Sequence, residues 1–114
     1  MLSTQHRLRN RSDIERVYRA GKNVFGLGAG LRMIPNELGV NRFAISVGVK
    51  ISKSAVVRGT LKRQYREHIK AHLAQMNPGH DILVILTKDA AGLTFEQQAA
   101  GFTETLQKAK LLAL

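Results

Sequence analysis

Cysteine and tryptophan are both absent from this chain of 114 residues. Without cysteine there can be neither a disulfide nor a thiolate-rich zinc site, which agrees with a reducing cytosol. No apolar run approaches the ~20 residues that a membrane span requires. The opening stretch MLSTQHRLRNRSD lacks the apolar segment of a secretory signal. Acidic residues and a predicted helix follow its arginines at once, which argues against a transit peptide. There are no internal repeats, low-complexity tracts or linkers, and the length suits one compact domain that buries roughly two-thirds of its unfolded surface.

Catalytic constellations are missing too. A protein active site needs converging acids, bases or metal ligands. His68 and His72 are four apart, but no glutamate completes a His-Glu-x-x-His motif, and both flank an apolar stripe, which suits a packed pair. His6 and His80 are isolated. Asp13 and Glu15 fit a helix start and its cap. Gly26, Gly28 and Gly30 lie inside an alternating pattern and not between a strand and a helix, so they do not form a phosphate loop. They mark a close backbone approach, a bulge or the floor of an open groove. The chain is expected to be catalytically inert and to bind no cofactor or metal by itself.

Negative charge is also scarce. Eight acidic residues face 18 Lys and Arg, a net charge of +10. The excess is concentrated. Residues 1–22 carry six basic and two acidic side chains, and residues 50–70 carry seven basic and one acidic. Two separated basic segments imply a polyanion partner, foremost a nucleic acid. The basic helix has no Trp/Phe/Leu-rich insertion face of the kind a membrane-surface helix uses, so no membrane partner is expected.

The pattern of apolar residues sets out the elements. SDIERVYRAG predicts a helix over 13–20, capped by Ser12 with Glu15 three positions on, and stopped by Gly21. NVFGLGAGLRMIP alternates strictly and predicts one half-buried strand, with Phe25, Leu27, Ala29, Leu31 and Met33 on one side. A turn, PNELGVN, leads to a second strand, RFAISVGVKI, with Phe43, Ile45, Val47, Val49 and Ile51 on one face. Residues 54–76 predict a long helix ended by MNPGH. DILVILT predicts a central strand covered on both faces. Thr94 and Gln97 cap a last helix, whose stripe is Phe95, Ala99, Phe102, Leu106 and Ala109. The order is α-β-β-(β)-α-β-α, an α/β (α+β) two-layer sandwich with a small mixed sheet. Residues 1–114 are expected to form a single RNA-binding domain, with 1–12 as a basic N-terminal arm.

The long helix is divided along its axis. Val57, Leu61, Tyr65, Ile69 and Met76 line one side, and Arg58, Lys62, Arg63, Arg66 and Lys70 the other. Like charges four apart repel by a few tenths of a kcal/mol per pair. Solvated helix faces usually mix signs, yet Glu67 is the lone acid of residues 50–70. A bound phosphate backbone would reverse that repulsion. Lys50 and Lys53 add charge before the helix N-terminus, where free N–H groups already favour anions, so the strongest anion site is expected near Arg58. Gly59 costs about 1 kcal/mol relative to alanine in a helix. Its missing Cβ is explained equally well by close approach of an RNA backbone or by neutral drift.

KISKSAVVRGTLKRQYRE closely resembles the signature of the bacterial ribonuclease P protein components. Arg58, Lys62, Arg63 and Arg66 fall on the four basic positions of Arg-Asn-x-x-Lys-Arg-x-x-Arg. RLRNRSDIERVYRAGK resembles the family's opening, and RFAISVGVK, DILVIL and the final helix follow in the family's order. The resemblance covers almost the whole chain. It implies a left-handed β-α-β crossover around the basic helix. It also implies a cytoplasmic ribonucleoprotein that removes the 5′ leader of precursor tRNA. The ribonuclease P RNA is the ribozyme, and magnesium is held by that RNA and its phosphates. The protein docks through Arg58, Lys62, Arg63, Arg66, Lys50, Lys53, Gly59 and Lys70. Tyr18, Ile14, Arg7, Arg9, Arg11 and Arg32 would form the leader cleft. No obligatory protein partner is evident.

Three departures stand out. Gly59 replaces the signature asparagine, and Val49 a frequent lysine. In the leader cleft, Ile14, Ala29 and Arg32 stand where bulky or aromatic residues are common. The resemblance then implies either a weaker leader site or one carried more by Arg7, Arg9, Arg11, Arg16, Arg19 and Arg32. The alternatives are a ribosomal or general structured-RNA-binding protein, and a protein-only nuclease, against which the missing catalytic constellation argues.

Overall fold

A computed structural model describes residues 2–113. The central strand, β4 (His80–Leu86), is the apolar run DILVIL with its preceding histidine. It pairs antiparallel with β2 (Ala29–Pro35) and parallel with β3 (Arg42–Ser46), and β1 (Lys22–Val24) completes the order β1-β2-β4-β3. A parallel pair needs a long crossover. Here it contains α2 (Ala55–His72).

Each face of the sheet has its own apolar cluster. Leu31, Phe43, Ile82, Val84 and Leu86 pack with Leu61, Tyr65 and Ile69 of α2 and with Phe102 and Leu106 of α3 (Phe95–Lys108). Leu83 points the other way, toward Val17 of α1 (Arg11–Ala20) and toward Leu8, which precedes that helix. The expected central, doubly covered strand is therefore present. So is the capping box of α3, with Thr94 Oγ1 accepting from the Gln97 N–H and Gln97 Oε1 from the Thr94 N–H.

Four local expectations need correction. Helix α1 begins two residues early, because Asn10 caps it. The Asn10 side chain accepts from both the N–H and the hydroxyl of Ser12, and Glu15 pairs with Arg11 and does not reach back to a cap. Asn and Ser are comparable caps, and the earlier one lengthens the helix by two residues.

The expected single strand over 23–35 is a hairpin. Val24 lies opposite Leu31, and Phe25 and Leu27 are exposed at the tip. Gly28 turns the chain at φ +82°, and a Cβ there would sit 2.5 Å from the Tyr65 hydroxyl. The second strand stops at Ser46, where the chain leaves the sheet in a turn closed by Ile51 N–H donating to the Gly48 carbonyl. Val47 and Ile51 still reach the core, but Val49 is exposed.

The buried side of α3 is also shifted. Gln98, Gly101 and Thr105 are buried with Phe102 and Leu106, while Phe95 is half exposed. Gln98 is drawn inward by His68 Nε2 at 2.9 Å and Gln64 Oε1 at 2.9 Å. At Gly101 the Leu27 backbone comes so close that a Cβ would lie 2.9 Å from its carbonyl oxygen.

Asp81 is fully buried at the start of β4. Its carboxylate accepts from Arg42 Nε at 2.8 Å, Arg42 Nη2 at 2.7 Å and Asn36 Nδ2 at 2.9 Å. Arg16 of α1 lies 3.6 Å away. Burial pushes this carboxyl upward, but the hydrogen bonds from Arg42 and Asn36, with the charges of Arg42 and Arg16, outweigh it and leave the pKa below its ordinary value near 3.8. The stabilisation is therefore present above that ordinary value and is lost as pH falls through the folded-state value. Asp81→Asn should cost about 3 kcal/mol at neutral pH, by leaving Arg42 unpaired. It should also flatten the loss of stability as pH falls below the ordinary carboxylate value near 3.8 in denaturant titrations.

Two glycines should respond in opposite ways in the same titrations. At Gly59 a Cβ would meet only Arg63 Nη1, at 3.7 Å. Gly59→Ala should therefore stabilise by about 1 kcal/mol. Gly28→Ala should destabilise by more than that, through its positive φ and the Tyr65 contact.

Candidate nucleic-acid interface

The charged side of α2 is not neutralised by the fold. Among the described residues, no carboxylate pairs with Arg58, Lys62, Arg63 or Arg66, and Lys70 has only Glu67, at 3.9 Å. Arg58 donates to the Ser52 carbonyl at 2.8 Å, which keeps its charge beside the helix N-terminus. Arg63 donates to Thr60 Oγ1 at 3.0 Å. Lys50 and Lys53 are exposed in the loop before Ser54, whose hydroxyl caps α2. Gly59 leaves open surface beside Arg63.

The N-terminal arm, residues 2–10, does not hang free. Leu2 and Leu8 are buried. The Leu8 N–H donates to the Phe43 carbonyl at 2.8 Å, and Arg7 forms a parallel bridge to Phe43. Arg7 Nε donates to the Leu2 carbonyl at 2.8 Å. This lays the arm along the free edge of β3, opposite α2. Between them lies a groove of about 320 Å³, with Leu8, Phe43, Ala44 and Ile45 in its apolar lining and Arg7, Arg9, Lys62 and Arg66 as its cations. Such a groove can hold a phosphate backbone on its cations and bases on its apolar surface.

The expected leader residues therefore divide. Arg7 and Arg9 join Lys62 and Arg66 of the docking set in one groove. Tyr18, Ile14 and Arg32 lie elsewhere. Tyr18 is 59% exposed, and the Arg32 guanidinium sits 4.9 Å from its ring centroid. Ile14 is partly buried against the α1 cluster and also borders an open notch with Glu15, Tyr18 and Arg19. Arg11 is exposed and pairs with Glu15 at 3.1 Å. Arg16 is less available than expected, because Asp13 at 3.4 Å and Asp81 at 3.6 Å both hold it.

The histidine pair is structural. His68 is buried with Nε2 on Gln98 and its ring 4.3 Å from Phe95. Burial lowers its pKa, so it is neutral. His72 bonds the His68 carbonyl and Thr103 Oγ1. Tyr65 is core. Its hydroxyl is buried without a partner, and burial, helped by Asp89, pushes its pKa up to about 12.

Sequence reasoning missed the Asp81–Arg42–Asn36 group that steadies the arm side of the sheet. The one available signal was an aspartate opening an otherwise apolar strand.

The family model described as Ribonuclease P matches residues 2–110. The chain belongs to that family. A ribonuclease P protein component from Microcystis aeruginosa is 34% identical over 111 residues, covering 94% of this chain and 92% of the relative. The structure of the ribonuclease P protein from Staphylococcus aureus is 30% identical, with a TM-score of 0.85, covering 94% of this chain and 97% of that one. The ribonuclease P protein from Thermotoga maritima is 25% identical, with a TM-score of 0.81 over 90% of this chain and 96% of that one. Family and fold agree with the resemblance read from residues 50–67, and they favour it over a ribosomal or general RNA-binding protein. The ribonuclease P protein component is a subunit of an endoribonuclease ribonucleoprotein of tRNA 5′ maturation.

If five cations of this ribonuclease P chain neutralise phosphates, log K for structured RNA should fall with log salt at a slope of about −3.5 to −4.5. Lys62→Ala with Arg66→Ala should make that slope shallower by about 1.5 to 2 units. An unchanged slope in filter binding would remove the groove from the interface.

Proposed function

We propose that α2 and its preceding loop dock on the ribonuclease P RNA, and that the arm groove and the exposed side of α1 hold the 5′ leader of precursor tRNA. The RNA breaks the phosphodiester bond, and the protein positions the strand. The observation that carries this reading is the unneutralised cationic side of α2 facing two arginines of the arm across an apolar-lined groove. Phosphate contacts of this kind supply affinity and register more than sequence choice.

Magnesium belongs, in this reading, to the RNA and its phosphates. Arg7, Arg9, Lys62 and Arg66 would repel a divalent cation. Among the described residues, no group of three or more His, Asp and Glu side chains comes together as ligands. The cytoplasm is the proposed location. Among the described residues, no helix is long and apolar enough to cross a membrane.

Reconstitution tests the proposal. The protein alone should leave precursor tRNA intact. Added to the cognate ribonuclease P RNA, it should restore cleavage at low magnesium and tighten binding of substrates with a leader over those without one. Lys62→Ala with Arg66→Ala should raise the magnesium needed for half-maximal cleavage. A protein that neither binds this RNA nor changes its cleavage would overturn the proposal.

A further inference from the structure

Glu15 is out of place. It caps nothing, and it sits on the RNA-facing helix of a chain with a charge of +10. The other acid of α1, Asp13, is engaged by Arg16 and Arg42 at 3.4 Å each. Glu15 is half exposed and, among the described residues, held only by Arg11, itself 93% exposed, in a pair that opens at little cost. With Ile14, Tyr18 and Arg19 it borders an open notch of about 250 Å³. The notch thus offers an aromatic face, an aliphatic surface, a carboxylate and a cation.

We propose that Glu15 and Tyr18 form a guanine-selective notch for one unpaired nucleotide of single-stranded RNA. This deepens the leader-holding role proposed above and rests on it. Unpaired bases are recognised by stacking on an aromatic ring and by hydrogen bonds to their Watson–Crick edge. Guanine presents N1–H and the exocyclic N2 amine side by side, two parallel donors for one carboxylate. Adenine and cytosine each set an acceptor nitrogen beside their amine, and uracil flanks its one donor with two carbonyl oxygens. A carboxylate repels those acceptors. Tyr18 supplies the stacking ring, steadied by the Arg32 guanidinium 4.9 Å from its centroid. Arg19 lies at the same notch to meet a phosphate.

The full chain can be titrated at low salt, by fluorescence anisotropy, with labelled uridine hexamers carrying one central guanosine, adenosine or inosine. Guanosine should bind about tenfold tighter than adenosine, within the range a bidentate contact discriminates. Inosine, which lacks the N2 amine, should fall between them. Glu15→Gln should bring the guanosine-to-adenosine ratio close to one. Tyr18→Ala should weaken all three ligands by about tenfold. A wild-type ratio near one would overturn the proposal. So would a Glu15→Gln protein that binds every hexamer more tightly with the ratio unchanged, since Glu15 would then act through charge alone. Cleavage of a guanine-free leader by the reconstituted enzyme tests the underlying function separately, and the hexamer ratio alone decides the notch.

Discussion

The bidentate pair between Asp81 and Arg42 fixes the geometry on which the cation-lined groove depends. These residues stand opposite each other at the start of the parallel β3–β4 pair. Asn36 ties the preceding turn to the same carboxylate, and Arg16 ties α1 to it. A buried ion pair adds little over a well-packed apolar substitute, but losing one half is costly. Its consequence here is arrangement. With α1 held above the sheet and β3 held in register, the arm has one place to lie, along the β3 edge and facing α2.

Magnitudes explain how α2 tolerates its charge. Repulsion among like charges four apart costs a few tenths of a kcal/mol per pair. Burying Leu61 and Ile69 stabilises by about 1.5–3 kcal/mol for each side chain. The core side therefore decides that the helix forms and where it packs. The charged side is left to be set by whatever it binds. With four of its cations free of carboxylates among the described residues, the helix can turn its self-repulsion into attraction for a polyanion.

Legibility followed the locality of the cause. Strand β4 and the Thr94–Gln97 box are written in periodicity and short motifs and are present. The long helix is present too, but α2 ends at His72, a 3-10 turn over Leu73–Gln75 leads to Met76, and Val57 is exposed. The break at Gly28 was hidden because its reason, the Tyr65 hydroxyl, lies 37 positions along the chain. Gln98 lies outside the expected apolar stripe, and its burial depends on partners from α2, His68 and Gln64. The groove was invisible for the same reason. Arg7 and Lys62 look like members of two separate sites until the Leu8–Phe43 hydrogen bond lays the arm against the sheet. Family membership was legible because the spacing of Arg58, Lys62, Arg63 and Arg66 is local.

The tip of the first hairpin has its seat in the last helix. Lys108 donates its ammonium to the Phe25 carbonyl at 2.7 Å, across 83 positions of sequence. Gly26 lies against Thr105, and the Leu27 carbonyl against Gly101. During synthesis, strands β1 and β2 thus leave the ribosome long before the surface that locks their connection exists. Closing so long a loop is entropically expensive and slow. The hairpin tip cannot be seated until α3 has been made, so the nascent chain carries it unanchored throughout that interval.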